Sequence, residues 1–185
     1  MGLRDLALIV LFAAIIAALG WVPKVDLPFA AGVPITAQSM GVTLAGVMLG
    51  ARRGALAAAL FVLLLLFGAP LLAGGRGGLE VFAGPTAGFI LGFIPAAFVS
   101  GYLFDRWSLR LGMFGAAFLA SVVGGYVLLN LIGIPVLMAV NGTGLDEAAV
   151  TALSLLPGGL LKALATGVVS YVTRPDKVAG TEAGV

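Results

Sequence analysis

Apolar runs of about bilayer-crossing length fill most of this sequence, at residues 6–22, 37–51, 54–72, 82–104, 111–140 and 149–172. A spanning helix needs about 20 mostly apolar residues, roughly 17 to 25 once tilt is allowed. The run at 37–51 is short, and the run at 111–140 is long and broken by Gly133 and Pro135, so each enters obliquely or finishes as a partial turn. Composition agrees: the 185 residues are 61% hydrophobic and 10% charged, with a mean hydropathy of +1.18. A water-soluble globule of this size carries about 25% charged residues to clothe its exterior. Lipid must supply the missing solvent. The expected fold is an all-α membrane protein: one six-transmembrane-helix domain over residues 1–173, then a cytoplasmic polar tail at 174–185.

The first twenty residues have features of a secretory signal, with Arg4 ahead of an apolar core and small residues at Ala17, Ala18 and Gly20. Because further spanning runs follow, a retained first helix is the simpler account. With the amino terminus in the cytoplasm, the inner segments hold seven basic residues: Arg4, Arg52, Arg53, Arg106, Arg110, Arg174 and Lys177. The outer loops hold two, Lys24 and Arg76. That bias places both termini on the cytoplasmic side of the membrane. The inner links are clipped, "GARRG" and "DRWSLR"; the outer links at 23–36, 69–86 and 141–149 are longer and rich in Pro and Gly. Longer outer loops on a small bundle imply a lid and a pocket on the outer face.

Several classes of chemistry are excluded. Cysteine is absent, so no disulfide or thiolate metal site exists, and the absence of histidine removes the commonest general base. The net charge is +2 and the basic residues are scattered, which gives no nucleic-acid footprint. The glycine-rich "GGRGGLEVFAGPTAG" lacks the G-x-x-x-x-G-K-[ST] pattern, so it gives no nucleotide site in this chain. No cofactor is expected. The serines at 39, 100, 121 and 154 have no base and no acid pair is present, which weighs against an intramembrane enzyme; no ring of charges suits a channel.

Two features stand out inside the spans. In the first run, Ala13 with Ala17 and Ala14 with Ala18 are four apart, a spacing that lets helices approach closely, within the bundle or against a partner. In the last run, "LSLLPGGLLKALATGVVSYV" carries Lys162 in an otherwise uncharged stretch. If the ordered helix starts at Pro157, Lys162 is close enough to its end to snorkel to the headgroups. If not, the ammonium faces a cavity or a partner, because facing lipid costs on the order of 3 kcal/mol. With Arg76, Gln38, Asn130 and Glu80, it makes a set of candidate ligand contacts for a mainly apolar outer pocket.

The stretches "VPITAQSMGVTLAGVMLGARRGALA" (33–57), "GPTAGFILGFIPAAFVSG" (84–101) and "LPGGLLKALA" (156–165) resemble the BioY family, the biotin-binding S components of energy-coupling-factor transporters. The resemblance covers most of residues 1–173. It implies a six-helix S component capped by its first and third outer loops, which captures biotin and works with a transmembrane scaffold subunit and two cytoplasmic ATPases. It further implies that the small-residue face at Ala13 and Ala17, or Ala14 and Ala18, docks the scaffold, and that Lys162 contacts the ligand.

The sequence departs from the family at one place. The family pattern Pro-Gly-Asp-x-x-Lys reads Pro157-Gly158-Gly159-Leu160-Leu161-Lys162, so the acid that would accept from a ureido N–H is missing at Gly159. Loss of such a bond costs about 1.5–3 kcal/mol unless another acceptor replaces it. Another small vitamin on the same architecture is the competing expectation.

Overall fold

The computed structural model describes residues 2–25 and 33–173; the loop at 26–32 and the tail at 174–185, with Arg174 and Lys177, lie outside the described residues. The described chain is helical: α1 (Leu3–Ala18) with a tight turn Leu19–Trp21, α2 (Gln38–Leu49), α3 (Ala51–Leu66), the short α4 (Glu80–Ala83), α5 (Ala87–Val122), a π-helical turn (Val123–Leu128), α6 (Leu129–Asn141) and α7 (Leu145–Thr173). Three helical runs are long and apolar enough to cross a bilayer: Leu3–Trp21, Ala87–Asn141 and Leu145–Thr173. Large apolar side chains point away from the core, with Leu131 69% and Leu161 67% exposed. Water would penalise such a surface, and hydrocarbon does not.

The helix α1 starts where Gly2 and Asp5 bond reciprocally, the Gly2 amide donating to Asp5 Oδ2 at 3.1 Å and the Asp5 amide to the Gly2 carbonyl at 3.0 Å. An acid in the first turn also suits the positive end of the helix dipole. Asp5 reaches across to Arg53 of α3 at 3.1 Å, so the start of α1 and the α2–α3 corner share one end of the molecule. The end of α7 is there too, since Thr173 Oγ1 lies 3.7 Å from Met48 Sδ near the end of α2.

α2, α3 and α5 form the centre. Gly46 on α2 allows the crossing with α5: a Cβ there would stand 2.1 Å from the Ala97 carbonyl oxygen. Around that crossing Ile16, Val42, Phe61, Leu65 and Phe93 are buried, and the Phe61 and Phe93 rings sit 6.1 Å apart and tilted by 39°. Gly88 and Gly92 face α6, against Val136 and Leu129, so that glycine file serves internal packing.

Two boundaries differ from expectation. The link expected at 105–110 is itself helical, and the chain reverses just after it, at Gly112 with φ +68° and ψ 174°, between two arms of the run 87–141; Gly133 and Pro135 do not break the second arm. Open space surrounds Gly112, so backbone conformation alone calls for glycine there. Gly133 lies inside α6 because the Phe89 ring occupies the place of its missing side chain. The last helix begins at Leu145 and runs through Pro157 without stopping. Proline inside a spanning helix is tolerated when neighbouring groups satisfy the freed backbone.

Candidate functional site

At the end opposite the Asp5–Arg53 pair, the helices enclose a cavity of about 90 Å³ that opens at one mouth. Its walls come from α2, α5, the π-helical turn, α6 and α7, and its rim from the first two outer loops. Aromatic and aliphatic groups dominate: Phe89, Ile90, Phe93, Leu129, Leu155, Ile35 and Leu72. That lining, apolar with a few polar groups, matches a site for one small amphipathic molecule.

Lys162 sits on this wall. It lies inside α7, about 16 Å along the helix from the nearer end, at Thr173. The snorkelling alternative required a helix starting at Pro157, and that start is not found. The ammonium donates to Ser39 Oγ at 2.7 Å and to the Thr36 carbonyl at 3.3 Å. Two of its three N–H bonds are thereby fixed toward α2 and the first outer loop, and no acidic residue lines the described wall. The arrangement is a partly buried cation aimed at a hollow, balanced by neutral dipoles.

Two short backbone pairings shape the rim. Val25 and Ile35 exchange amide bonds of 3.0 and 2.9 Å, closing the ends of the first loop and setting Val33 to Thr36 over the cavity. In the second loop the Leu72 amide donates to the Arg76 carbonyl at 3.0 Å, so Arg76 stands exposed at the mouth. The third outer connection adds nothing to the described wall. Between Asn141 and Leu145 it is too short to arch over the opening, so the described cap comes from loops one and two and not from one and three.

The remaining candidates divide. Gln38 lines the cavity, but backbone groups occupy its amide: Nε2 donates to the Leu71 carbonyl at 2.9 Å and the Ile16 carbonyl at 3.4 Å, and Oε1 accepts from the Ala73 amide at 3.3 Å. Its work is to pin the second loop to α1 and α2. Asn130 lines the wall from α6, with Nδ2 donating to the Tyr126 carbonyl at 2.8 Å and Oδ1 buried without a donor among the described residues. Glu80 is exposed at the start of α4 and takes no part in the wall, because the glycine-rich turn directs it outward.

On α1 the two alanine files part. Ala13 is 2% exposed within the core and Ala17 packs against that core, whereas Ala14 and Ala18 are exposed. A docking face must be reachable, so Ala13 leaves the set. Sequence reasoning missed the aromatic wall and the part of Ser39, which had no signal beyond its place next to Gln38. It also missed why Gly159 is bare. A Cβ there would stand 2.7 Å from Tyr126 Cδ2, and the Tyr126 hydroxyl is held by the Ala152 carbonyl at 2.8 Å.

Comparison with known proteins agrees with this geometry. The sequence profile of the BioY family matches residues 1–176. The "Biotin transporter BioY" of Rhizobium etli is 49% identical over 174 residues, covering 91% of this chain and 92% of the relative. That of Rhodobacter capsulatus is 47% identical, covering 90% and 91%. A crystal structure described as the S-component for biotin from an ECF-type ABC transporter superposes with a TM-score of 0.86 at 28% identity, over 94% of this chain and 92% of that one. With its membrane-length helices and capped cavity, the chain belongs to the BioY family.

Proposed function

We propose that the protein is the biotin-capturing S component of an energy-coupling-factor uptake transporter. The observation that carries this reading is a mainly apolar cavity with two cations, Lys162 inside and Arg76 at the mouth, and no acid on its described wall. Biotin combines an apolar ring and chain with a polar ureido head and a carboxylate. Leaving the full negative charge of the carboxylate near the wet mouth costs less desolvation than burying it. The carboxylate therefore lies toward Arg76, and the ureido carbonyl accepts from the third N–H of Lys162.

The rest of the arrangement follows. Six membrane passes are assigned to α1, α2, α3, the two arms either side of Gly112, and α7, all in one domain over residues 1–173 with 174–185 as a polar tail. Arg4, Arg52 and Arg53 lie near the end marked by the Asp5–Arg53 pair, while Arg76 rims the opposite end, which supports cytoplasmic termini and an outward-facing cavity. The proposed work is capture followed by delivery. A scaffold subunit and two ATPases would supply the energy, with Ala14 and Ala18 as the docking face on α1.

Equilibrium binding of labelled biotin to the purified protein in detergent, beside thiamin and riboflavin, tests the reading. Preference for biotin at sub-micromolar concentration is expected. Equal affinity for all three overturns it in favour of a different vitamin or none.

A further inference from the structure

Resting on the biotin reading above, we infer that Asn130 Oδ1 is the acceptor that selects for a ring N–H of the ligand, in the part an acid at position 159 would otherwise play. The amide is oriented by its own bonding. Nδ2 donates to the Tyr126 carbonyl at 2.8 Å, and a flip would set oxygen against oxygen, so Oδ1 is fixed as the free acceptor. Among the described residues no donor reaches that buried oxygen, although Asn130 lies on the cavity wall. A buried acceptor left without a donor is unfavourable, and a ligand N–H relieves it.

Two other side-chain acceptors on the wall already have protein donors, while the remaining ones, Thr36 and Thr86, are hydroxyls that can also donate. Gln38 Oε1 takes the Ala73 amide and Ser39 Oγ takes the Lys162 ammonium. Position 159 is crowded, since a Cβ there would stand 2.7 Å from Cδ2 of the Tyr126 ring. That ring is tethered through its hydroxyl to the Ala152 carbonyl on α7. Tyr126 thus does two things: it closes the family's usual acceptor position, and its backbone carbonyl aims the replacement. It sits in the π-helical turn Val123–Leu128 just ahead of Asn130, and such turns recur at functional sites. The ligand class is a small molecule with a neutral cyclic urea or amide N–H close to a carbonyl that reaches Lys162.

The test measures the affinities of biotin and of its two singly ring-N-methylated derivatives for the unaltered protein and for Asn130→Ala. The unaltered protein is expected to bind one derivative at least tenfold more weakly than biotin. Asn130→Ala is expected to weaken biotin by roughly tenfold to thirtyfold while leaving that derivative within about twofold. An equal loss for biotin and both derivatives in Asn130→Ala overturns the inference. So does an unaltered protein that binds all three alike, a result that needs no variant to fold. Failure of the unaltered protein to bind biotin at all overturns the biotin reading itself, along with this inference.

Discussion

The ammonium of Lys162 on α7 stands 2.7 Å from the hydroxyl of Ser39 on α2, across 123 residues of sequence. This bond joins the last helix to the floor of the first outer loop, whose Thr36 carbonyl accepts a second bond from the same nitrogen. One side chain therefore ties the cavity wall to its cap and still carries its charge into the hollow.

Lys162→Ala removes that charge. Biotin affinity is expected to fall by roughly tenfold to a hundredfold, the worth of a charge-assisted hydrogen bond of about 1.5–3 kcal/mol. The ligand-free protein should keep its yield and most of its thermal stability. Isothermal titration beside a detergent melting curve checks this; equal losses of binding and stability would assign Lys162 a structural role only.

Gly159→Asp, which writes the family's usual acid into this chain, is expected to weaken the protein and not to strengthen capture. Its side chain would collide with the Tyr126 ring, and overpacking of this kind costs about 1–3 kcal/mol. Removing the ring should relieve the collision, so Tyr126→Ala combined with Gly159→Asp should be more stable than the sum of the single effects predicts. Strict additivity in a melting-temperature cycle would show that the two positions do not share this space.

Gln38→Ala should loosen the second outer loop. It strips the partner from the Ala73 amide and from the Leu71 and Ile16 carbonyls, a cost of about 1–3 kcal/mol for groups left buried. Limited proteolysis in the glycine-rich segment 74–78 should quicken, and biotin should leave faster with its arrival rate less affected. Unchanged cleavage and release would mean that the loop is held by other contacts.

Replacing both Ala14 and Ala18 with leucine should spare biotin binding and abolish co-purification with a scaffold subunit, because both face outward. Ala13→Leu should behave differently. It forces volume into a packed core and lowers the melting temperature by overpacking. If the outward pair keeps the scaffold bound, α1 docks through another face.

The apolar runs were legible because membrane insertion depends on local length and hydropathy, which are properties of contiguous sequence. Lys162 was legible for the same reason, since one charge in an apolar stretch demands an explanation on any fold. The division between residues 104 and 111 was legible too, from the charged Asp105, Arg106 and Arg110, but the continuation of the helix through that link to a reversal at Gly112 was not, because it rests on one backbone φ. Nor could the sequence tell a pocket glutamine from a loop tether: Gln38 has the right chemistry for either, and the difference lies in three backbone groups from distant segments.

By itself, then, the sequence determined the solvent, the helical class and the need for a partner beside Lys162, since each follows from the cost of putting a given side chain into hydrocarbon. The tertiary structure alone decided which polar atoms meet. Ser39 reaches Lys162, the Tyr126 ring covers Gly159, and Asn130 is left with a free oxygen, because hydrogen bonds and steric exclusion act over about 3 Å and depend on how helices far apart in the chain are packed.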